Sequence, residues 1–236
     1  MQSMGRLLLT LCVIICPLEA KEPMVHKNGR QPALVFDFGG VLIEWDPRNL
    51  YRKLFNGDMA AMESFLKESR FMEWNIQQDA GRPFSEAIDE FCSRMPQYCD
   101  LIRAYDQRYE ESITGPNWST VEILRTLKDA GYPLYGLSNW PDEKWRLVRP
   151  KYEFFGWFDY ILISGEVKLA KPDPRIFSLF LEKIGYPAEQ CLYIDDSLHN
   201  VQVSGQMGFQ TIHFRSAEQL REELCNRGIL KSTVSA

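Results

Sequence analysis

Polar groups with chemical potential follow directly on apolar runs that read as buried strands: Asp37 after Ala33-Leu34-Val35-Phe36, Ser138-Asn139 after Tyr132 to Leu137, and Asp195-Asp196 after Cys191 to Ile194. Lys171 opens Lys171-Pro172-Asp173-Pro174 ahead of a helical pattern. Gathered at one edge, these carboxylates, lysine and hydroxyl make a hard-cation site beside a site for a phosphate-sized anion. Asp37 is then placed to attack phosphorus and form an acyl phosphate, which splits one hard displacement into two easier steps. Its own charge opposes that attack. A divalent cation on Asp37 and one of the Asp195-Asp196 pair offsets the repulsion, while Lys171 and the Ser138 hydroxyl hold the transferring oxygens. Asp195 has a second reading, in which it orients Lys171 and leaves Asp196 as the metal ligand. Gly39 and Gly40 let backbone approach a ligand closely. Singly, a strand-end Asp also caps helices and Ser-Asn also makes turns. It is their order at successive strand and helix ends that points to one site.

The elements that must position these groups alternate. Apolar runs recur at Ala33 to Asp37, Tyr132 to Leu137, Phe158 to Ile163, Cys191 to Ile194 and Thr211 to Phe214, with helical patterns at Thr120 to Ala130, Arg175 to Ile184 and Asn200 to Met207, each closed by a glycine. Such alternation predicts an α/β fold with a Rossmann-like parallel sheet core. From Pro47 to Gly115 the alternation stops, with helices expected at Asn49 to Phe55, Met59 to Phe71, Ser85 to Met95 and Asp100 to Ser112 and no strand. The expected organisation is therefore a core of residues 32–47 and 116–236, with a helical cap of residues 48–115 inserted between the first and second strands. An insertion there sits above the carboxyl ends of the strands, where ligands of open α/β sheets bind.

At 236 residues, 45% hydrophobic and 25% charged, the chain can bury one core and a small accessory module. A net charge of -5 excludes the basic footprint of a nucleic-acid binder. A small phosphorylated molecule stays compatible, since a pocket can concentrate positive groups locally. Cysteines at Cys12, Cys16, Cys92, Cys99, Cys191 and Cys225 lack the short paired spacings of zinc sites. Cys191 reads as a core residue, and pairing of Cys92 with Cys99 stays open. Residues 1–31 form a leader and linker. Arg6, the apolar run Leu7 to Cys16 and the following Pro17 and Ala20 resemble a secretory signal peptide, while Met24 offers an alternative start. The run is too short for a stable membrane span. Location is thus cytoplasmic or, with a genuine leader, exported; oligomeric state is open.

The segments Val35-Phe36-Asp37-Phe38-Gly39-Gly40-Val41-Leu42, Gly136-Leu137-Ser138-Asn139, Lys171-Pro172 and Tyr193-Ile194-Asp195-Asp196 resemble the four successive motifs of the haloacid dehalogenase superfamily. The resemblance spans about residues 33 to 215. It implies Asp37 as nucleophile, Ser138 and Lys171 as phosphate binders, and Mg2+ on Asp37, the Gly39 carbonyl and Asp196, with Asp195 as a further candidate; Gly39, Gly40 and Asn139 are expected to join Ser138 and Lys171 in binding the substrate phosphate. The helical insertion resembles the family's cap, which closes over substrate and sets specificity. One position departs from the pattern. Phosphatases of the superfamily usually carry a second aspartate, as general acid and base, where this chain has Gly39, and such help contributes roughly 10²–10⁴-fold. Sugar-1-phosphate phosphatases that resemble this chain also have glycine there, and Glu44 and Asp46 are candidate substitutes.

These features lead us to expect a Mg2+-dependent phosphomonoesterase that acts on a small phosphorylated metabolite, such as a sugar phosphate, through an aspartyl-phosphate. The alternatives are a metal-independent 2-haloacid dehalogenase, which also lacks the second aspartate but leaves Asp195-Asp196 unexplained, and a catalytically weak phosphate-ligand-binding protein. For specificity, Trp74-Asn75, Asp79 and Arg82 are expected in a long turn between two cap helices, with Trp74 packed inside the cap. Trp140 and Trp145 are expected at the core and cap boundary, His199 on a helix surface and His213 at the end of the last strand.

Overall fold

The computed structural model describes residues 31–231, so the leader reading, Cys12, Cys16 and Met24 lie outside the described residues. The main sheet is built from β1 (Ala33–Phe36), β4 (Leu134–Ser138), β5 (Tyr160–Ile163), β6 (Cys191–Asp195) and β7 (Gln210–His213) in the order β5-β4-β1-β6-β7. Every pairing in it is parallel. The expected apolar runs thus map onto its strands, and the fold is α/β as the alternation implied.

The strands read as continuous apolar runs because both faces of the sheet are covered. Leu34 and Phe36 of β1 point into one cluster with Leu134, Leu192 and Ile194, while Ala33 and Val35 point into the other with Tyr135, Leu137 and Tyr193. The first cluster is closed by α6 (Trp118–Asp129) and α11 (Ala217–Asn226) through Val121, Leu124, Leu127, Leu220 and Leu224. The second is closed by α9 (Pro174–Ile184) through Ile176, Phe177 and Phe180. The chain winds from β1 outward through β4 to β5, then crosses back to β6 and β7 on the other side. The carboxyl end of β1, bearing Asp37, therefore lies at the topological switch point where open α/β sheets bind ligands.

Between β1 and β4 the chain forms α1 (Arg48–Leu54), α2 (Met59–Glu68), α3 (Phe71–Asp79), α4 (Phe84–Arg94) and α5 (Cys99–Gln107). Two expectations need correction here. The end of the Pro47 to Gly115 interval is not strand-free: β3 (Ile113–Pro116) pairs antiparallel with β2 (Ile43–Trp45), which lies just before the interval, as a stem. Each is very short, and Gly115-Pro116 disfavours a strand locally, so only their mutual pairing reveals them. Nor is there a long turn after Phe71. Arg70 adopts a left-handed φ of 52° that ends the α2 run and begins α3, which carries Trp74, Asn75 and Asp79; Arg82 alone of the group stays in the following turn. The buried face of α3 mixes Phe71 and Trp74 with Asn75 and Gln78, leaving no apolar stripe to read.

Cys92 and Cys99 are joined by a disulfide that links the end of α4 to the start of α5. Cys191 is buried, as expected of a core residue. No helix among the described residues is long and apolar enough to cross a membrane.

Phe38, the residue after the switch-point Asp37, is fully buried against Trp145, Phe155 and Phe158, with ring centroids 5.5, 4.9 and 5.3 Å away. A Cβ on Gly136 would overlap its ring, which explains the glycine in the middle of β4. Truncation by Phe38→Ala is expected to cost about 3–5 kcal/mol and Gly136→Ala about 1–3 kcal/mol, by a cavity and by overpacking respectively, both measurable by urea denaturation.

Candidate active site

The loop after β1 turns tightly: the N–H groups of Leu42 and Ile43 both donate to the Phe38 carbonyl at 2.8 Å, and Gly40 N–H donates to the Ile43 carbonyl at 2.9 Å. This turn holds the Asp37 carboxylate at the sheet edge, where Oδ1 accepts from Phe38 N–H at 2.7 Å and pairs with Lys171 Nζ at 3.0 Å. Gly40 has φ +70°, and a Cβ there would overlap the Asp196 carboxylate. Only glycine satisfies both conditions, so Gly40 makes room for Asp196 beside Asp37.

Lys171 is 3% exposed, and its ammonium donates to the Leu137 carbonyl at 2.9 Å and to Asp195 Oδ2 at 2.8 Å as well as pairing with Asp37. Its backbone is clamped by Asn139, whose Nδ2 donates to the Lys171 carbonyl at 2.9 Å and whose Oδ1 accepts from Lys171 N–H at 2.8 Å. The Asn139 side chain is thereby committed to positioning Lys171. Asp195 is fully buried and fully engaged: besides Lys171 it accepts from Tyr193 OH, from Ser197 N–H at 2.7 Å and from Asn200 Nδ2 at 3.1 Å. This is the orienting role, leaving Asp196 as the more exposed acid of the pair. Ser138 is 1% exposed, and its Oγ has no hydrogen-bond partner among the described residues. A buried hydroxyl left unpaired is costly unless a ligand completes it.

The charges do not balance. Carboxylate oxygens of Asp37, Asp195 and Asp196 lie within 4.8 Å of one another, and among the described residues the ammonium paired with them is that of Lys171. Burial pushes the Asp37 carboxyl up to about 7; Lys171 pulls it down, but the Asp195 and Asp196 charges push it up again. Burial and Asp195 likewise raise Asp196. Burial works against the Lys171 charge, yet Asp195 and Asp37 outweigh it and hold the ammonium above its ordinary range. For Asp195 burial is likewise overcome, by Lys171, Tyr193 and Ser197 N–H, so its carboxyl stays below the usual range. An excess of negative charge on hard oxygen ligands fits a divalent cation, with Asp37 and Asp196 the acids not already saturated by hydrogen bonds.

In the loop after Asp37, Gly39 lines a cavity of about 80 Å3 together with Trp45, Asn75, Asp79, Tyr109, Asn139 and Trp140, so the sheet edge and the helical module share its walls. Sequence reasoning missed Trp45 and Tyr109, which sit on the stem and in the 3-10 turn after α5, and nothing local to either marks it as facing this cavity. Glu44 and Asp46 do not reach it. Glu44 is exposed and accepts from Thr114, and Asp46 accepts from Arg48 N–H at 2.9 Å and pairs with its guanidinium. Trp74 packs inside the module, its Nε1 donating to the Ala87 carbonyl at 3.2 Å, and Arg82 pairs with Glu90 at 2.8 Å outside the cavity. Trp140 and Trp145 are buried where the sheet meets the helices. His199 is exposed on α10 (Leu198–Gln206). His213 ends β7 as expected, with its Nε2 2.9 Å from the Asp196 carbonyl oxygen.

Residues 32–208 match the haloacid dehalogenase-like hydrolase family. The chain belongs to that family. This hydrolase is 27% identical over 201 residues to a drimenol cyclase of Aspergillus calidoustus, covering 82% of the chain and 36% of the cyclase. It is 24% identical over 186 residues to a sesquiterpene phosphatase of Aspergillus oryzae, covering 77% and 88%, and 30% identical over 94 residues to an (S)-2-haloacid dehalogenase of Pseudomonas putida, covering 40% and 41%. The chain thus spans only about a third of the cyclase and two fifths of the dehalogenase. Among solved structures, a haloacid dehalogenase family enzyme of Bacteroides thetaiotaomicron in complex with magnesium and inorganic phosphate superposes with a TM-score of 0.60 at 24% identity, covering 79% of this chain and 96% of that one. That likeness is one of fold.

The two adjacent acids differ in what they support. Asp195→Ala removes one of the two carboxylates that balance the buried Lys171 charge and the acceptor of Tyr193, Ser197 and Asn200, and is expected to cost about 3–5 kcal/mol of stability, whereas Asp196→Ala, which relieves repulsion at a solvent-facing position, should stay within about 1 kcal/mol or stabilise the metal-free protein. Chemical denaturation in the presence of a chelator measures both.

Proposed function

We propose that this hydrolase is a Mg2+-dependent phosphomonoesterase that acts on a small phosphorylated metabolite through an aspartyl-phosphate on Asp37. The observation that carries the reading is the unbalanced cluster of Asp37 and Asp196 beside Lys171, together with the unpartnered Ser138 hydroxyl. Phe38 N–H and Lys171 hold Asp37 Oδ1, which leaves Oδ2 as the attacking oxygen. Magnesium, held by Asp37, Asp196 and the Gly39 carbonyl, would offset the charge that opposes attack on a phosphate. Lys171 and Ser138 bind the transferring oxygens, and Asn139 and Asp195 keep Lys171 in place.

In this reading residues 48–115 act as the cap, which closes the cavity and excludes water during phosphoryl transfer. The small aromatic-walled space suits a compact substrate such as a sugar phosphate. The Cys92–Cys99 disulfide supports the exported alternative for location, because disulfides persist in oxidising compartments. The haloacid dehalogenase reading accommodates Gly39 equally well, and a dehalogenase is among the relatives. It gives no reason for the cation-hungry pair of Asp37 and Asp196.

The test is phosphate release from sugar phosphates and p-nitrophenyl phosphate with and without Mg2+, alongside chloride release from 2-chloropropionate. Magnesium-dependent phosphate release, abolished in Asp37→Asn, is the expected result; metal-independent chloride release overturns it. Because a side chain at position 40 displaces Asp196, Gly40→Ala is expected to raise the Mg2+ concentration for half-maximal activity roughly 10–100-fold.

A further inference from the structure

Phosphoryl transfer to Asp37 leaves an alkoxide that needs a proton, and Gly39 cannot give one. A Cβ built at Gly39 meets nothing within 4 Å, so the position opens into free space. Gly39 also lines the cavity of about 80 Å3, and among its lining residues the one carboxyl group is Asp79, at the carboxyl end of α3.

Asp79 is held in place from both sides. Its backbone carbonyl accepts from Ser164 Oγ at 2.5 Å, and Ser164 Oγ in turn accepts from Trp140 N–H at 2.9 Å, which ties the end of α3 to the carboxyl edge of the sheet. On the side chain, Asn75 Nδ2 donates to Oδ2 at 3.3 Å, and Tyr105 OH donates to Asn75 Oδ1 at 2.9 Å. One carboxyl oxygen is thus positioned by a hydrogen-bonded relay within the helical module, and Asp79 lines the cavity. The surrounding rings of Trp45, Tyr109 and Trp140 offer little solvation to a charge. Burial accordingly pushes the Asp79 carboxyl up to about 7, although Lys171 pulls it down, so a protonated donor is present near neutrality.

We infer that Asp79 is the general acid and base of this hydrolase, reaching from the helical module into the space that Gly39 leaves open. The inference rests on the phosphatase reading. As Asp37 Oδ2 forms its bond to phosphorus and the ester P–O bond breaks, the Asp79 proton passes to the leaving oxygen, releasing an alcohol. The resulting Asp79 carboxylate then takes a proton from water, whose oxygen bonds to phosphorus and releases Asp37, returning both side chains to their starting states with inorganic phosphate as product. The leaving alcohol must therefore be short enough to sit between Gly39 and Asp79, and proton delivery depends on α3 staying docked through Ser164.

The test compares leaving groups through kcat/KM, which reports phosphoryl transfer to Asp37. In Asp79→Asn, kcat/KM for an alkyl ester such as glycerol phosphate is expected to fall about 10²–10⁴-fold, against less than about tenfold for p-nitrophenyl phosphate, whose phenolate leaves without help. Adding Gly39→Asp to Asp79→Asn, which places a carboxyl in the same space from the other wall, should recover alkyl-ester activity at least tenfold. Equal losses on both substrates, no loss on either, or a double variant that recovers nothing overturns the assignment while leaving the phosphatase reading intact. If the wild-type enzyme releases phosphate from neither substrate, both fall; p-nitrophenyl phosphate turnover that disappears in Asp37→Asn keeps the two failures distinguishable.

Discussion

The buried ammonium of Lys171, held between Asp37 at 3.0 Å and Asp195 at 2.8 Å, is the interaction on which the site depends. It joins three elements that are distant in sequence: the end of β1, the segment ahead of α9 and the end of β6. An unpaired charge in that position would be prohibitive, so the sheet edge can only close with the pair formed. Asn139 and the Leu137 carbonyl extend the same bond set to the end of β4. The site is thus part of what registers the strands against one another.

That arrangement leaves a net excess of carboxylate at the surface of the sheet, tolerated because Asp196 faces solvent and Gly40 makes room for it. The fold keeps an electrostatic imbalance that the side chains around it do not neutralise. Ser138 shows the same economy in hydrogen bonding, with a buried hydroxyl that has no internal partner. Both features cost stability and are the kind of strain that the proposed binding of a cation and phosphate would relieve.

The helical module contributes to the site through packing as much as through chemistry. Its aromatic interior, with Tyr51, Phe71, Trp74 and Tyr105 in mutual ring contact, is continuous with the core on one face of the sheet. The β2–β3 stem and the contact of Ser164 with the Asp79 carbonyl fix where that interior ends and the cavity begins.

From the sequence, the parallel sheet and the placement of Asp37, Ser138, Lys171 and Asp195-Asp196 at its edge could be read directly. Doubly covered strands must be apolar throughout, and polar groups at their ends stand out against that background. Which acid of the pair is saturated and what Asn139 binds are decided by non-local contacts and had no local signal, while the short spacing of Cys92 and Cys99 left their pairing open until the packing of α4 against α5 was known. The same holds for α3 and the stem. A left-handed Arg70 and two strands of three and four residues leave no periodicity, so the residues they bring to the cavity, Trp45, Asn75, Asp79 and Tyr109, meet only once the chain has folded.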